Sequence, residues 1–379
     1  MNDIAISGER VRSLRLALDI SQVDLANSLG LAGNSVISKV ENGRVTVDDT
    51  LLHALAERLS CSTHYLLEPA PDVIATRPWL RAYADASAKT VDAVTADNVI
   101  HHEFVQRSKL RRVPHRIPVF DGDLNDAAAI DDFAEDVRLA AEIQEGDVVR
   151  NAMRAAERLG CIVLPLADEL GRHMGMSQFI DGVPYIRVSR AITSSRRPVP
   201  GDRQRFTVIH EVGHLALHAD MPPPDSADDA RRVERQAHRF AAAFLLPATP
   251  LIEDLAHLGD RVTLTTLSRL KGRWGVAIKM LVKRFQDLGI IESDQATSLY
   301  KQISKRGWNI GEPVPVTTEQ PIWFTRALER RARDGDKTWG VGRLHDLGSV
   351  HLNRWCDWTS GPPDDDTVVS LAARRAIRS

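Results

Sequence analysis

The chain has 379 residues, 43% of them hydrophobic, with 49 Lys/Arg against 51 Asp/Glu and a formal net charge of −2. That length suits two or three domains, and the composition excludes a disordered chain and a globally basic nucleic-acid binder. Cys61, Cys161 and Cys356 stand far apart with no Cys-x-x-Cys, MNDIAISGERVRSLR lacks an apolar signal core, and no stretch nears the length of a membrane span, so the chain reads as cytoplasmic, without disulfides and without a membrane partner.

Residues Gly8–Leu67 hold a set of short helical patterns. GERVRSLRLALD turns Val11, Leu14 and Leu18 to one side, and Ser21 is an N-cap for QVDLANSLG, closed by Gly30. In NSVISKVENG, Val36, Ile37 and Val40 face inward, with Asn34, Ser35, Ser38 and Lys39 outward. Asp48 or Asp49 caps TLLHALAERL, and a last turn holds His64–Leu67. Two helices joined by a tight turn in a small bundle fit a helix-turn-helix.

The pattern SQVDLANSLG…ISKVENGR resembles the XRE, or phage-repressor-like, DNA-binding family. Its turn, LGLAGNSVIS, runs one residue longer than that family's usual pattern, which bears on where the reading helix starts. The resemblance implies that Gln22 meets the DNA backbone or a base, that Asn34, Ser35 and Ser38 face the major groove, and that Lys39 and Arg44 meet phosphates. It implies a DNA operator as partner and favours a homodimer, because such readers bind paired half-sites. Charge argues the other way: residues 1–68 hold six Lys/Arg against nine Asp/Glu, so nonspecific attraction to DNA is weak. A helical module used for protein contact is the alternative.

Pro69–Pro78, PAPDVIATRP, reads as a linker, and Trp79–Val113 as helix with a basic end, QRSKLRRVPHR, either solvated or touching a DNA backbone. PHRIPVFDGDLND is a loop with one extended piece. AAAIDDFAEDVRLAAEI and DVVRNAMRAAERLG are helices, the second ended by Gly160. CIVLPL is a buried strand, and MSQFI and PYIRVS flank Asp181–Gly182 as a hairpin. The edge of this small sheet is expected to align an extended peptide by backbone pairing.

The most informative stretch is Phe206–His218, FTVIHEVGHLALH, fed by the loop RRPVPGDRQ. Its apolar residues recur at helical spacing, so His210 and His214 fall on one face and can bind one cation. Glu211, beside the first histidine, is placed to take a proton from water. Neutral imidazoles and a hard base suit zinc, and zinc needs a third protein ligand. The next apolar-periodic helix, VERQAHRFAAAFLLP, carries Glu234 one turn before Ala237. His218, His238, His173 and Tyr185 are candidates to stabilise an oxyanion, His218 first because it follows His214 by four.

FTVIHEVGHLALH followed by ERQAHRFAAAFLLP resembles the intracellular zinc peptidases called ImmA/IrrE, and CIVLPL and GMSQFIDGVPYIRVSR agree with that upstream. The likeness covers roughly Ala127–Ile291. It implies His210 and His214 as zinc ligands, Glu211 as catalytic base and Glu234 as third ligand. It also implies a repressor-type DNA-binding protein as substrate, cut under stress or on induction of a mobile element.

Thr263–Ile291 repeats a helix-turn-helix pattern rich in Arg269, Lys271, Arg273, Lys279, Lys283 and Arg284, and DNA contact and plain packing fit it equally. In the tail, TEQPIWFTRALERRARDG is one helix, GRLHDLGSVHLNRWCDW has no readable period, and the Trp-rich end is expected to pack on the main domain. The expected fold is α+β and mostly helical: a helix-turn-helix bundle (1–68), a connector (69–126), a zincin-like peptidase domain with a small sheet and a His-Glu-x-x-His helix (127–260), a helical subdomain (261–300) and a tail of unread role (301–379). The expected function is a DNA-binding regulator with a zinc-dependent endopeptidase. The rival is a transcription factor that keeps the peptidase-like domain as a metal or ligand sensor.

Overall fold

The structure, a computed structural model, describes residues 3–80, 88–166, 174–192, 197–222, 224–333 and 346–358. Five short helices come first: α1 (Gly8–Ala17), α2 (Gln22–Ser28), α3 (Ser35–Glu41), α4 (Asp49–Arg58) and α5 (Thr63–Leu67). Ser7, Ser21, Asp48 and Ser62 each accept a backbone N–H of the first turn they precede. Helix α3 starts at Ser35, after Asn34, without such a side-chain cap. Val11, Leu14, Leu25, Ile37 and Leu55 close the bundle's interior. Glu41 ties it across: it accepts from the Arg15 guanidinium and from Gln22 Nε2 at 2.6 Å, which locks α2 against α3.

The next region departs from its expected helix. It opens with a strand, β1 (Trp79–Leu80), and the helix α6 spans Ala88–Arg107. Then come α7 (Ala127–Ala140), α8 (Ala152–Arg158), β2 (Ile162–Leu166), β3 (Gly175–Ile180), β4 (Val183–Ser189), β5 (Ala191–Ile192) and β6 (Arg197–Pro198). The helix expected from Asp147 begins only at Ala152, where the Asn151 side chain caps it. The active-region helix α9 runs Gly201–Leu217, followed by α10 (Ala227–Leu245), α11 (Ala248–His257), α12 (Leu264–Trp274), α13 (Ile278–Asp287), α14 (Ser293–Lys305), α15 (Trp323–Arg333) and α16 (Ser349–Cys356). No helix among the described residues is long and apolar enough to cross a membrane.

The main sheet has the order β1-β3-β4-β2. β3 and β4 form the expected hairpin, with positive φ at both turn residues, Asp181 (47°) and Gly182 (70°). β2 lies parallel to β4, and both are buried along their whole length, so the sheet is covered on two faces. Val163, Ile186 and Val188 share a core with α7, α9, α10 and α13. Ile162, Leu164, Ile180 and Tyr185 share another with α6, Phe324, Trp355 and the N-terminal bundle. The N-terminal bundle is therefore packed into the molecule, and the segment expected to be a free linker is hydrogen-bonded along β3.

The tail has a structural part to play. Ser62 N–H donates to the Asp346 carbonyl and Gly348 N–H to that of Ser60, both at 2.7 Å, while Trp355 is buried between α6 and the bundle. Of the six cations of the α12–α13 hairpin, Arg269, Arg273, Lys279 and Lys283 are exposed. Lys271 and Arg284 are buried, Lys271 against Asp202 and Glu312, Arg284 against Asp131 and the Leu246 carbonyl. Those two cations belong to the packing of the hairpin, and the exposed four leave both readings of it open.

Candidate metal centre

Helix α9 is buried over nearly all of its length. It is covered by α10 on one side and by β3 and β4 on the other. Gly213, between the two histidines, is what lets α10 come so near. A Cβ there would stand 2.9 Å from the Phe240 ring and 3.3 Å from the Ala237 carbonyl. The small residues Ala237 and Ala241 complete that contact, and Glu234, one turn earlier on α10, is carried over the histidines.

His210 Nε2, His214 Nε2 and the Glu234 carboxylate converge. The two Nε2 atoms are 3.1 Å apart, Glu234 Oε2 is 3.4 Å from His210 and Oε1 is 3.5 Å from His214. A tetrahedral zinc with ligands at about 2.0–2.1 Å spaces its ligand atoms by roughly 3.3 Å. Glu234 Oε2 is buried with no hydrogen-bond partner. A buried acceptor with no donor, facing two imidazole nitrogens at such spacings, is what a cation would satisfy. The donor set fits zinc on chemistry as well. Burial, only partly offset by Glu234, pushes His210 down to about 3 and keeps it neutral.

The tautomer of His214 follows from a chain of hydrogen bonds. Gln236 Nε2 donates to the Leu124 carbonyl, so Gln236 Oε1 faces His218 Nε2, at 3.1 Å, as acceptor. His218 therefore carries its proton on Nε2 and accepts at Nδ1 from His214 Nδ1–H, 3.1 Å away. That leaves His214 Nε2 a bare lone pair, pointing at His210 and Glu234. His218 was expected to stabilise an oxyanion. Both of its ring nitrogens are engaged behind His214, so it has no N–H left for that, and the role it fits is positioning.

Glu211 points toward the sheet. Its Oε2 accepts from Ser177 Oγ at 2.7 Å, and a Cβ on Gly175 would stand 2.6 Å from its Oε1. Only glycine leaves that carboxylate its place. Trp79 closes the neighbourhood, its ring stacked on His214 with centroids 5.6 Å apart and planes 1° from parallel.

The other sequence candidates separate. His238 lies beside His210, ring centroids 4.8 Å apart, but is not part of the converging group. Tyr185 is on the wrong face. It pairs in register with Gln178, the neighbour of Ser177, so it faces away from α9, and its hydroxyl meets His101 and His102. His173 lies outside the described residues. At the N-terminal bundle, Asn34, Ser35, Lys39 and Arg44 are exposed on or beside α3, Ser38 is half-buried, and Gln22 is half-buried with its amide on Glu41. Sequence reasoning missed Ser177, Gln236 and Trp79. Ser177 sits at the correct alternation position of β3, whereas nothing local marks Trp79.

Two family models match the chain. Residues 11–66 match the helix-turn-helix model, and residues 156–286 match the IrrE N-terminal-like domain of the M78 peptidases. The chain joins a helix-turn-helix domain to an IrrE N-terminal-like domain. The second match begins within α8 and ends within α13, so it takes in the whole converging group and the α12–α13 hairpin. No curated protein matches the sequence.

Proposed function

We propose that this chain is a DNA-binding regulator whose M78-type domain is a zinc endopeptidase acting on a repressor-type protein. The convergence of His210, His214 and Glu234 with Glu211 alongside carries the reading. Those three would hold the zinc. When bound, zinc supplies a Lewis acid for a peptide carbonyl and brings the pKa of water toward neutrality. Glu211 accepts a proton at its carboxylate and returns it to the leaving amine. Ser177 orients that carboxylate, and Gly175 leaves it room. His218 and Gln236 keep the His214 tautomer with Nε2 bare. On the N-terminal domain, Asn34, Ser35 and Ser38 would read bases, with Gln22, Lys39 and Arg44 on bases or the backbone.

Glu211→Gln tests the chemistry. The variant keeps shape but cannot take a proton, so it should hold zinc and bind DNA like the parent. It should lose about a hundredfold or more in cleavage of a repressor-type protein that the parent cuts. Undiminished cleavage by Glu211→Gln would rule out the mechanism. The second reading is a non-proteolytic factor that senses a metal or ligand. One observation favours it: the DNA-binding bundle shares its core with the peptidase-like sheet, so a change at the sheet is transmitted by packing. Stoichiometric zinc in a parent that cleaves no candidate repressor would support this reading.

A further inference from the structure

The free edge of β3 is not free. Residues 74–80 run antiparallel along it, with Ala75 bridged to Ile180, Trp79 opposite Ser177 and Leu80 opposite Met176. Ile74 N–H donates to the Asp181 carboxylate, and Asp181 N–H donates to the Ile74 carbonyl, both at 2.8 Å. Thr76 N–H donates to the Phe179 carbonyl and Phe179 N–H to Thr76 Oγ1, both at 2.9 Å.

β3 is the strand that touches the proposed base, through Ser177 and Gly175. Its outer edge is where an extended peptide would dock by backbone pairing and present a carbonyl to the centre. The residue opposite Ser177 is Trp79, whose indole lies over His214 and also contacts His218 at 5.5 Å between centroids. Trp79 is 8% exposed. The chain a few residues before the segment is pinned to the N-terminal bundle. Arg10 donates to the Glu68 and Pro69 carbonyls while its guanidinium is paired with Glu103 on α6.

We propose that residues 74–80 are a built-in pseudo-substrate strap: they fill the peptide groove of the centre, with Trp79 in a subsite for a large aromatic side chain beside His214 and His218. A protein substrate must displace the strap, and it enters as an extended antiparallel segment with an aromatic residue opposite Ser177. The proposal rests on the peptidase reading for its consequence in catalysis, but the occupancy of the groove can be tested without catalysis.

The variant is Thr76→Pro with Trp79→Ala, which removes the N–H given to Phe179 and the ring over His214. Circular dichroism and zinc content establish that it folds. The probe is a fluorescein-labelled nonapeptide of residues 72–80, Asp-Val-Ile-Ala-Thr-Arg-Pro-Trp-Leu. Fluorescence anisotropy should show at least tenfold tighter binding to the variant than to the parent, and at least tenfold weaker binding when alanine replaces the peptide's tryptophan. Hydrogen exchange at the Phe179 amide should quicken in the variant and slow again when peptide is added. Zinc-loaded variant should hydrolyse unfolded casein at least tenfold faster than the parent, and the peptide should inhibit it. Equal binding to parent and variant, binding to neither, or indifference to the tryptophan would overturn the strap. If binding and exchange behave as expected while neither form cleaves anything, the strap stands and the peptidase reading fails.

Discussion

The two faces of the main sheet bury charge in different ways. On the face toward α9, three would-be ligands converge with no permanent cation among them: the imidazole Nε2 atoms are 3.1 Å apart, Glu234 Oε2 is 3.4 Å from His210, Oε1 is 3.5 Å from His214, and Oε2 is without a hydrogen-bond partner. On the face toward α6, charge is balanced within the protein. Arg187 reaches Asp97 at 2.7 Å, Asn98 at 2.7 Å and the Pro165 carbonyl at 3.1 Å, and Trp355 Nε1–H donates to Asp97 at 2.9 Å. Asp97, Arg187, His210 and His214 are buried, while Glu234 is 21% exposed. A buried ion pair whose two charges offset each other is an internal joint, here fastening α6 and α16 to the sheet, even though Asn98 Nδ2 and Arg187 Nη2 lack a hydrogen-bond partner. A buried set of bare acceptors is incomplete until a cation joins it. Burial alone does not distinguish a site from a joint; whether a permanent cation already pairs the carboxylate does.

The sharpest way to break this contrast is to remove an acceptor. His210→Ala or His214→Ala should abolish stoichiometric zinc, read by metal analysis after dialysis, since three protein ligands are the minimum seen in catalytic zinc sites. The fold should survive, because the side chain deleted is part of no internal ion-pair joint. Full zinc in either variant would move the metal site elsewhere.

Much of the α9 face was legible in the sequence, and the physical reason is helical periodicity. His210, Glu211 and His214 lie within five residues, and α-helical geometry alone puts both imidazoles on one side. Glu234 was reachable because its helix has a strong apolar stripe that must pack on α9. The α6 face was not legible, since Asp97, Arg187 and Trp355 are brought together across 258 residues by tertiary packing. The strap was misread for a related reason. PAPDVIATRP has linker composition, and its extended backbone is bridged to β3 at Ala75 and leads into β1 only because β3 offers an unpaired edge. In the bundle the helical patterns were readable, whereas the charge balance of residues 1–68, six Lys/Arg against nine Asp/Glu, speaks against nonspecific attraction to DNA in the structure as in the sequence.

The next effect falls on the other face. Asp97→Ala leaves the Arg187 charge buried without its partner, which should cost about 3–5 kcal/mol of stability. Denaturant unfolding reads this as a lower midpoint. Below that midpoint the folded protein should still hold its zinc. Loss of zinc from Asp97→Ala protein that remains folded would show that the two faces form one coupled network.

The smallest effect probes the side chain that supports the centre without entering it. His218→Ala removes the acceptor that fixes the His214 tautomer, and losses of this kind weaken metal binding about 10–100-fold. A competition titration against a zinc chelator measures that. A second readout separates positioning from mere filling of space. Burial, with His214 adjacent, pushes His218 down to about 3. In the unfolded chain an imidazole titrates near about 6.5. Between those values the unfolded state binds the extra proton, so the neutral histidine's contribution to stability is present in full above about pH 6.5 and is lost as pH falls toward 3. Each such proton changes stability by up to about 1.4 kcal/mol per pH unit. His218→Ala should make the metal-free protein's loss of stability on acidification shallower by up to that amount between about pH 6 and 4, while weakening zinc at neutral pH. A variant with an unchanged acid slope and unchanged zinc affinity would remove His218 from the hydrogen-bond chain and leave the tautomer of His214 to be set by something else.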